Sequence, residues 1–350
     1  TPKPSSAASD VYKRQVSVLN DDMSLNIKKT ANHCEKIIKD GCHGVVIFGS
    51  TGQAQLISLA EKIQMVTYLS KNKNKDNFII GCGLNSLLDT INLMKVSVNL
   101  GFKKFLVMPP AYYKYGDKEV INYYTKLVNS VPESKIILYN FEKLCGYKFS
   151  VECVKELVKR FPNQIVGVKD SSYNLFENLK LDNFSVMPGS ESKLLKGLEL
   201  GCSGIITATC NATAGLARKV YDDFSNGTPQ TVNEKLCEVR GEFEKYNLIS
   251  GLHTFYKKKE NIYENLLPPL RVLDAKSEKE LIKNLEKLSK LKKNLNKKRE
   301  STQNASADDP PGHFYVHESV FGQSLRLAQV AEWGPRRARD AIKSSRMFAT

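Results

Sequence analysis

Gln164-Ile-Val-Gly-Val-Lys-Asp170 is a short, β-rich apolar run that ends in a cation followed by an acid. A run of this length, bounded by polar residues, reads as a buried strand. Period-2 alternation puts Ile165, Gly167 and Lys169 on one face. The lysine at its end has two readings. It can snorkel out of the strand end into water. Or it is buried, where desolvation favours the neutral amine and lets it attack a ketone to form a Schiff base. The run alone does not choose between them.

Similar runs recur on both sides of it: His43–Ser50 (HGVVIFGS), Asn77–Gly83 (NFIIGCG), Lys103–Pro110 (KKFLVMPP), Lys135–Asn140 (KIILYN), Phe184–Ser190 (FSVMPGS) and Cys202–Thr209 (CSGIITAT). Nearly continuous apolar character is what strands covered on both faces show. Helix-like segments fall between most of them, at Ala60–Ser70, Leu87–Leu100, Lys118–Asn129, Ser150–Arg160 and Glu191–Leu200. A strand roughly every 20–35 residues with a helix between is the βα unit of a parallel sheet. An eighth strand belongs before the helix that starts near Leu25. Only Val16-Ser-Val-Leu19 is apolar there, so the first strand reads as truncated. Eight units point to a (β/α)8 barrel, and seven also suit a doubly wound sheet. No GxGxxG follows the first strand, which weakens a dinucleotide-binding version.

The ends differ from the middle. Thr1–Gln15 is small, polar and aperiodic and reads as a non-native leader. From about Ser301 the chain carries its one tryptophan, Trp333, and arginine replaces lysine, which reads as a non-native or disordered tail. The expected layout is therefore a barrel over 16–225, a helical region over 226–300 and a tail over 301–350. Net charge is +15, but much of the lysine clusters in 276–299, on the solvated face of an amphipathic helix with Leu281, Leu285, Leu288, Leu291 and Leu295 opposite. The basic runs lack interleaved aromatics, so nucleic acid is not an expected partner. No apolar run spans a bilayer, and the N-terminal stretch lacks the apolar core of a secretory signal. The eight cysteines include no CxxC pair and no metal spacing. A reducing cytoplasm fits them.

In a barrel the active site gathers where the strands end. Those ends carry Ser50 and Thr51, Tyr112 and Tyr113, Tyr139 and Asn140, Lys169 and Asp170, Ser190 and Glu191, and Thr207 and Thr209. No histidine or carboxylate cluster accompanies them, which argues against metal hydrolysis and a Ser-His-Asp triad.

Three motifs in order resemble the dihydrodipicolinate synthase / N-acetylneuraminate lyase family. They are Gly44-Val-Val-Ile-Phe-Gly-Ser-Thr-Gly-Gln53, Tyr139-Asn140 with Gly146 a short way on, and Gly167-Val-Lys169-Asp-Ser171. Weaker agreement comes from Pro109-Pro-Ala-Tyr-Tyr113 and Gly204–Asn211. The resemblance implies a TIM barrel with additional C-terminal helices and a class I aldolase. Its substrates would be pyruvate, or another 2-keto acid, and an aldehyde. It would need no metal or other cofactor and would assemble as a homo-oligomer, a dimer or tetramer. It implies Lys169 as the imine-forming amine, with Tyr139 and Tyr113, or Tyr112, as the proton relay. Ser50, Thr51 and Gly52 would hold the carboxylate. Ile206, Gly189, Glu191 and Leu144 would line the substrate pocket.

The sequence departs from the family at Gln53 for a glutamate, at Glu142 for a proline, and at Leu144, where the synthases carry a carboxylate-gripping arginine. Ser192 departs from a second acid used by the sialic-acid lyases. The best fit is an aldolase for a 2-keto-3-deoxy sugar acid, with 4-hydroxy-tetrahydrodipicolinate synthase or N-acetylneuraminate lyase activity as alternatives. A truncated first strand would instead leave an inactive or binding-only barrel.

Overall fold

The computed structural model describes residues 10–289, with side chains from Gln15 onward. Eight strands lie in one parallel sheet. They are β1 (Asp10–Arg14), β2 (Gly44–Ile47), β3 (Phe78–Gly81), β4 (Lys104–Val107), β5 (Lys135–Asn140), β6 (Ile165–Asp170), β7 (Ser185–Pro188) and β8 (Gly204–Thr207). The hydrogen-bonded order is β7-β6-β5-β4-β3-β2-β1-β8. The two outer strands of that order meet where the Ser203 amide donates to the Val186 carbonyl at 3.0 Å. The sheet thus curls round on itself as a TIM-type barrel. Every described residue of β2, β3, β7 and β8 is buried. This is why these segments read as unbroken apolar runs rather than as alternating ones.

The first strand corrects the sequence reading. Asp10–Arg14, placed there in a leader, pairs with β2 through Tyr12↔Gly44 to Arg14↔Val46 and with β8 through Asp10↔Gly204 to Lys13↔Thr207. Val16, Val18 and Leu19, expected to be the remnant of that strand, are fully buried but lie beyond its end. A ladder is built from backbone groups, so a segment without an apolar run can occupy the slot. The expected truncation is therefore not what the structure contains.

The outer helices are α1 (Ile27–Lys39), α2 (Leu59–Leu69), α3 (Leu87–Asn99), α4 (Asp117–Ser130), the short α5 (Glu142–Cys145), α6 (Val151–Arg160), α7 (Leu194–Glu199) and α8 (Cys210–Ser225). Their starts follow cap chemistry. Ser58 and Glu61 form a capping box on α2, and Ser86 and Ser150 accept the N3 amides of α3 and α6. Three further helices follow: α9 (Asn233–Glu244), α10 (Leu248–Lys257) and α11 (residues 275–289). Phe243, Leu252, Tyr256, Tyr263 and Leu281 form a second core with Val16, Val18 and Ala208 of the barrel. The C-terminal helices are thereby docked beside the first and last strands. The leucines at 291 and 295 and the expected tail lie outside the described residues.

Candidate active site

Parallel register sets the centre of the site. On β5 and β6, Tyr139 pairs with Lys169 and Asn140 with Asp170. Adjacent strands then carry the phenol and the amine side by side at their C-terminal ends. Lys169 is fully buried, and its Nζ lies 3.9 Å from the centroid of the Tyr139 ring. The Tyr139 hydroxyl lies 3.2 Å from the Ser50 Oγ. Ser50 opens a 3-10 turn, Ser50–Gly52, directly after β2. Three chain segments separated by long stretches of sequence so converge on one amine.

Glycine makes this convergence possible in two places. A Cβ on Gly167 would sit 2.7 Å from the Ser185 carbonyl oxygen, so β7 could not approach β6 beside Lys169. A Cβ on Gly189 would meet the Ser171 Oγ at 2.2 Å.

The turn that carries Ser50 and the buried Thr51 is held from several directions. Ser17 Oγ donates to the Gly52 carbonyl at 2.7 Å. Gln53 has φ 56° and accepts the Leu267 amide on its Oε1 at 2.7 Å, tying the turn to the C-terminal region. The departure at this position thus touches loop support. Lys62 of α2 is almost fully buried and donates to the carbonyls of Ala54 and Ile57 at 2.6 and 3.0 Å. Burial lowers its pKa to about 8.

Asp170 is a structural acid. Its buried carboxylate accepts from Asn140 Nδ2 at 2.8 Å and from the amides of Tyr173, Leu175 and Phe176 at 2.8–2.9 Å. Asn140 passes the order on, donating also to Asn174 Oδ1 and accepting the Phe149 amide. The loop after Lys169 is wrapped around this one side chain.

Glu191, just past β7, is completely buried. Its carboxylate accepts from Thr207 at 2.6 Å and Thr213 at 3.3 Å and pairs with Arg240 Nη1 at 3.0 Å. Burial pushes its pKa up, but the Arg240 charge and the threonine hydroxyls outweigh burial, so it is held below the ordinary carboxylate range. Sequence reasoning missed Arg240. It lies on α9, in a segment with no family motif, and nothing local marks it as reaching the barrel.

The remaining expected residues are placed as follows. Ile206 is fully buried in β8. Tyr112 and Tyr113 are 89% and 73% exposed, edge to face with ring centroids 5.2 Å apart. Among the described residues no contact joins either of them to Tyr139 or Lys169. Tyr112 has φ 85°, a strained conformation for a bulky side chain. Leu144 is half-exposed on α5. No group of His, Cys, Asp and Glu suited to a metal occurs among the described residues, and no described helix is long and apolar enough to cross a membrane.

The chain is 31% identical over 194 residues to an uncharacterized DapA-like lyase of Chloroflexus aurantiacus, covering 53% of this chain and 64%, less than two thirds, of that protein. It is 29% identical over 230 residues to a 2-dehydro-3-deoxy-D-gluconate/2-dehydro-3-deoxy-phosphogluconate aldolase of Picrophilus torridus, covering 63% of this chain and 85% of that one. The fold is shared with Agrobacterium tumefaciens dihydrodipicolinate synthase, with TM-score 0.72, 20% identity and 79% of this chain against 98% of that one. A Ruminococcus gnavus sialic acid aldolase gives TM-score 0.73 at 17% identity, covering 82% of this chain and 99% of that one. The profile of the dihydrodipicolinate synthetase family matches residues 8–288, and the chain belongs to that family.

Proposed function

We propose that this chain is a carbon–carbon lyase of the class I aldolase type, which cleaves or forms a 2-keto-3-deoxy sugar acid through a Schiff base on Lys169. The observation that carries the reading is the fully buried Lys169 amine against the Tyr139 ring, with the Tyr139 hydroxyl at the Ser50 Oγ. The neutral Lys169 amine adds to the C2 carbonyl of the substrate, and the Tyr139 hydroxyl gives its proton to the departing water, which leaves a protonated imine beside a tyrosinate. The imine takes up the electron pair of the C3–C4 bond as it breaks. The C4 hydroxyl proton passes to the Tyr139 oxygen, and the aldehyde departs. Protonation of the resulting enamine at C3 and hydrolysis of the imine then release pyruvate and the free lysine. Ser50 and Thr51, with the amides of their turn, hold the substrate carboxylate.

Leu144 favours this reading over a 4-hydroxy-tetrahydrodipicolinate synthase. An aliphatic side chain offers no donor to a carboxylate where the family's synthases place an arginine. The aldolase name of the Picrophilus relative points the same way. The exposed Tyr112–Tyr113 pair, with Tyr112 strained, suits a relay hydroxyl lent to the mouth of a second copy, and hence a homo-oligomer. With β1 paired on both sides, the missing strand that motivated an inactive barrel has no counterpart.

Borohydride with pyruvate should trap a covalent adduct on Lys169, located by peptide mass mapping. Lys169→Ala should abolish the adduct. Tyr139→Phe should keep the fold and slow turnover by roughly 100-fold or more. Folded protein that traps nothing at saturating pyruvate would refute the assignment.

A further inference from the structure

Tyr173 stands in a conformation that its own side chain disfavours. Its φ is 60°, in the left-handed region where glycine is at ease and a bulky residue is strained. The loop fixes it there from both sides. Its amide donates to Asp170 Oδ1 at 2.9 Å, and the amides of Leu175 and Phe176 donate to Asp170 Oδ2 at 2.8 and 2.9 Å. Asn174 accepts from Asn140 Nδ2 at 2.8 Å and donates to the Phe149 carbonyl at 2.9 Å. None of these bonds uses the Tyr173 side chain, so a glycine would serve the loop with less strain. Packing does not call for the ring either. Tyr173 is 37% exposed and meets Phe176 edge to face, with ring centroids 6.2 Å apart. Strain kept for a partly exposed side chain points to a use for that side chain.

Its place in the fold indicates the use. Tyr173 follows Lys169 by four residues, on the loop that leaves β6 at the mouth of the barrel. The side chain leans across β7: its hydroxyl faces Ser190, with Arg240 and Glu244 beyond, and Lys193 Nζ lies 5.9 Å from the ring centroid. A substrate joined to Lys169 through C2, with its carboxylate at the Ser50-Thr51 turn, has to run its remaining carbons outward past the strand ends. Among the described residues, Tyr173 is the one exposed large apolar side chain on the loops that follow β6, β7 and β8.

We propose, resting on the lyase reading above, that Tyr173 is a specificity-determining residue, whose ring carries the C–H face of the polyol chain in the aldehyde half of the substrate. An aromatic face covers the C–H groups of such a chain and leaves its hydroxyls to water. The pyruvate half, held at Lys169, Ser50 and Thr51, does not touch the ring. The ring therefore acts on the length of the aldehyde half and not on imine formation.

The test uses Tyr173→Gly, with Tyr173→Asn as a second ring-free variant that also tolerates the left-handed backbone, and Tyr173→Phe as the conservative control. Four readouts are compared: thermal melting, borohydride trapping with pyruvate, cleavage of a six-carbon 2-keto-3-deoxy sugar acid, and cleavage of 4-hydroxy-2-oxopentanoate, whose aldehyde half has no polyol chain. Y173G should melt no lower than wild type, because the strain it removes offsets the added freedom of its unfolded chain. Trapping and cleavage of the short compound should stay within about twofold of wild type, while kcat/KM for the sugar acid falls roughly 10-fold, mainly in KM. Y173N should show the same split, and Y173F should keep most of the wild-type activity. Unchanged cleavage of the sugar acid in a ring-free variant would overturn the proposal. So would a loss shared equally by trapping and both cleavage reactions. A wild-type chain that traps pyruvate but cleaves neither compound would also overturn it and leave the Schiff base standing, whereas one that traps no pyruvate would overturn the lyase reading itself.

Discussion

Replacing Asp170 with alanine should destabilise the protein by at least about 3 kcal/mol. The carboxylate satisfies four donors: Asn140 Nδ2 and the amides of Tyr173, Leu175 and Phe176. Tyr173 is exposed, so its amide can turn to water. Asn140, Leu175 and Phe176 are buried. Each donor orphaned in a buried place costs about 1–3 kcal/mol. Three of them set a lower bound near 3 kcal/mol, and shared relaxation keeps the total below the simple sum. Asp170→Asn keeps the shape and one acceptor oxygen but turns a donor toward donors, and should fall between wild type and alanine. Urea unfolding at neutral pH measures both. The same variants should slow trapping of pyruvate on Lys169, although Asp170 has no part in the imine, because the loop that leaves Lys169 is folded around it. An alanine variant within about 1 kcal/mol of wild type would mean that the loop is held by its own turns, and would refute the central place given to the carboxylate.

Gly167→Ala puts a methyl group 2.7 Å from the Ser185 carbonyl oxygen, a contact on backbone that cannot swing away. A cost of about 1–3 kcal/mol is expected, together with impaired trapping on Lys169 two residues later, read by thermal melting and the borohydride assay. His253 is fully buried and hydrogen-bonded through Nδ1 to the Tyr263 carbonyl at 2.9 Å. Burial lowers its pKa to about 4, against the partial opposition of that carbonyl. Its neutral form is therefore stabilising above pH ~6.5, the unfolded value, and that contribution is lost as the pH falls from there toward 4. The loss amounts to roughly 3 kcal/mol over the window. His253→Asn should flatten the pH dependence of stability across it, and an unchanged slope would assign the acid sensitivity to other groups.

What could be read in the chain follows from how far apart the interacting groups lie and whether periodicity links them. Lys169 and Tyr139 were legible because each ends an apolar run, and parallel pairing of adjacent strands brings such ends together. The Ser50-Thr51 turn was legible because glycines flank it and leave a local mark. Gln53 stands out in the sequence as a departure from the family's glutamate, but the Leu267 amide it receives comes from too distant a segment to be foreseen. β1 was misread because strand pairing demands backbone, not apolar side chains. The segment Asp10–Arg14 carries no hydrophobic run to announce it.

Arg240 shows the limit from the other side. It stands 49 positions from Glu191, on a helix whose pattern is that of any amphipathic surface helix, and its charge suggests solvent. Only the docking of the C-terminal helices against Val16, Val18 and Ala208 turns that residue inward. The same docking seats Leu267 on Gln53 and brings Tyr256 to the Asn211 carbonyl. The Ser50-Thr51 turn and the Glu191 carboxylate are therefore both braced from one late segment of the chain. A barrel lacking those helices would keep the Lys169–Tyr139 pair, which two adjacent strands make by themselves. It would lose the counter-charge of Glu191 and the support of the Ser50-Thr51 turn. The Lys169–Tyr139 pair is thus local to β5 and β6, whereas the charge balance around Glu191 depends on α9.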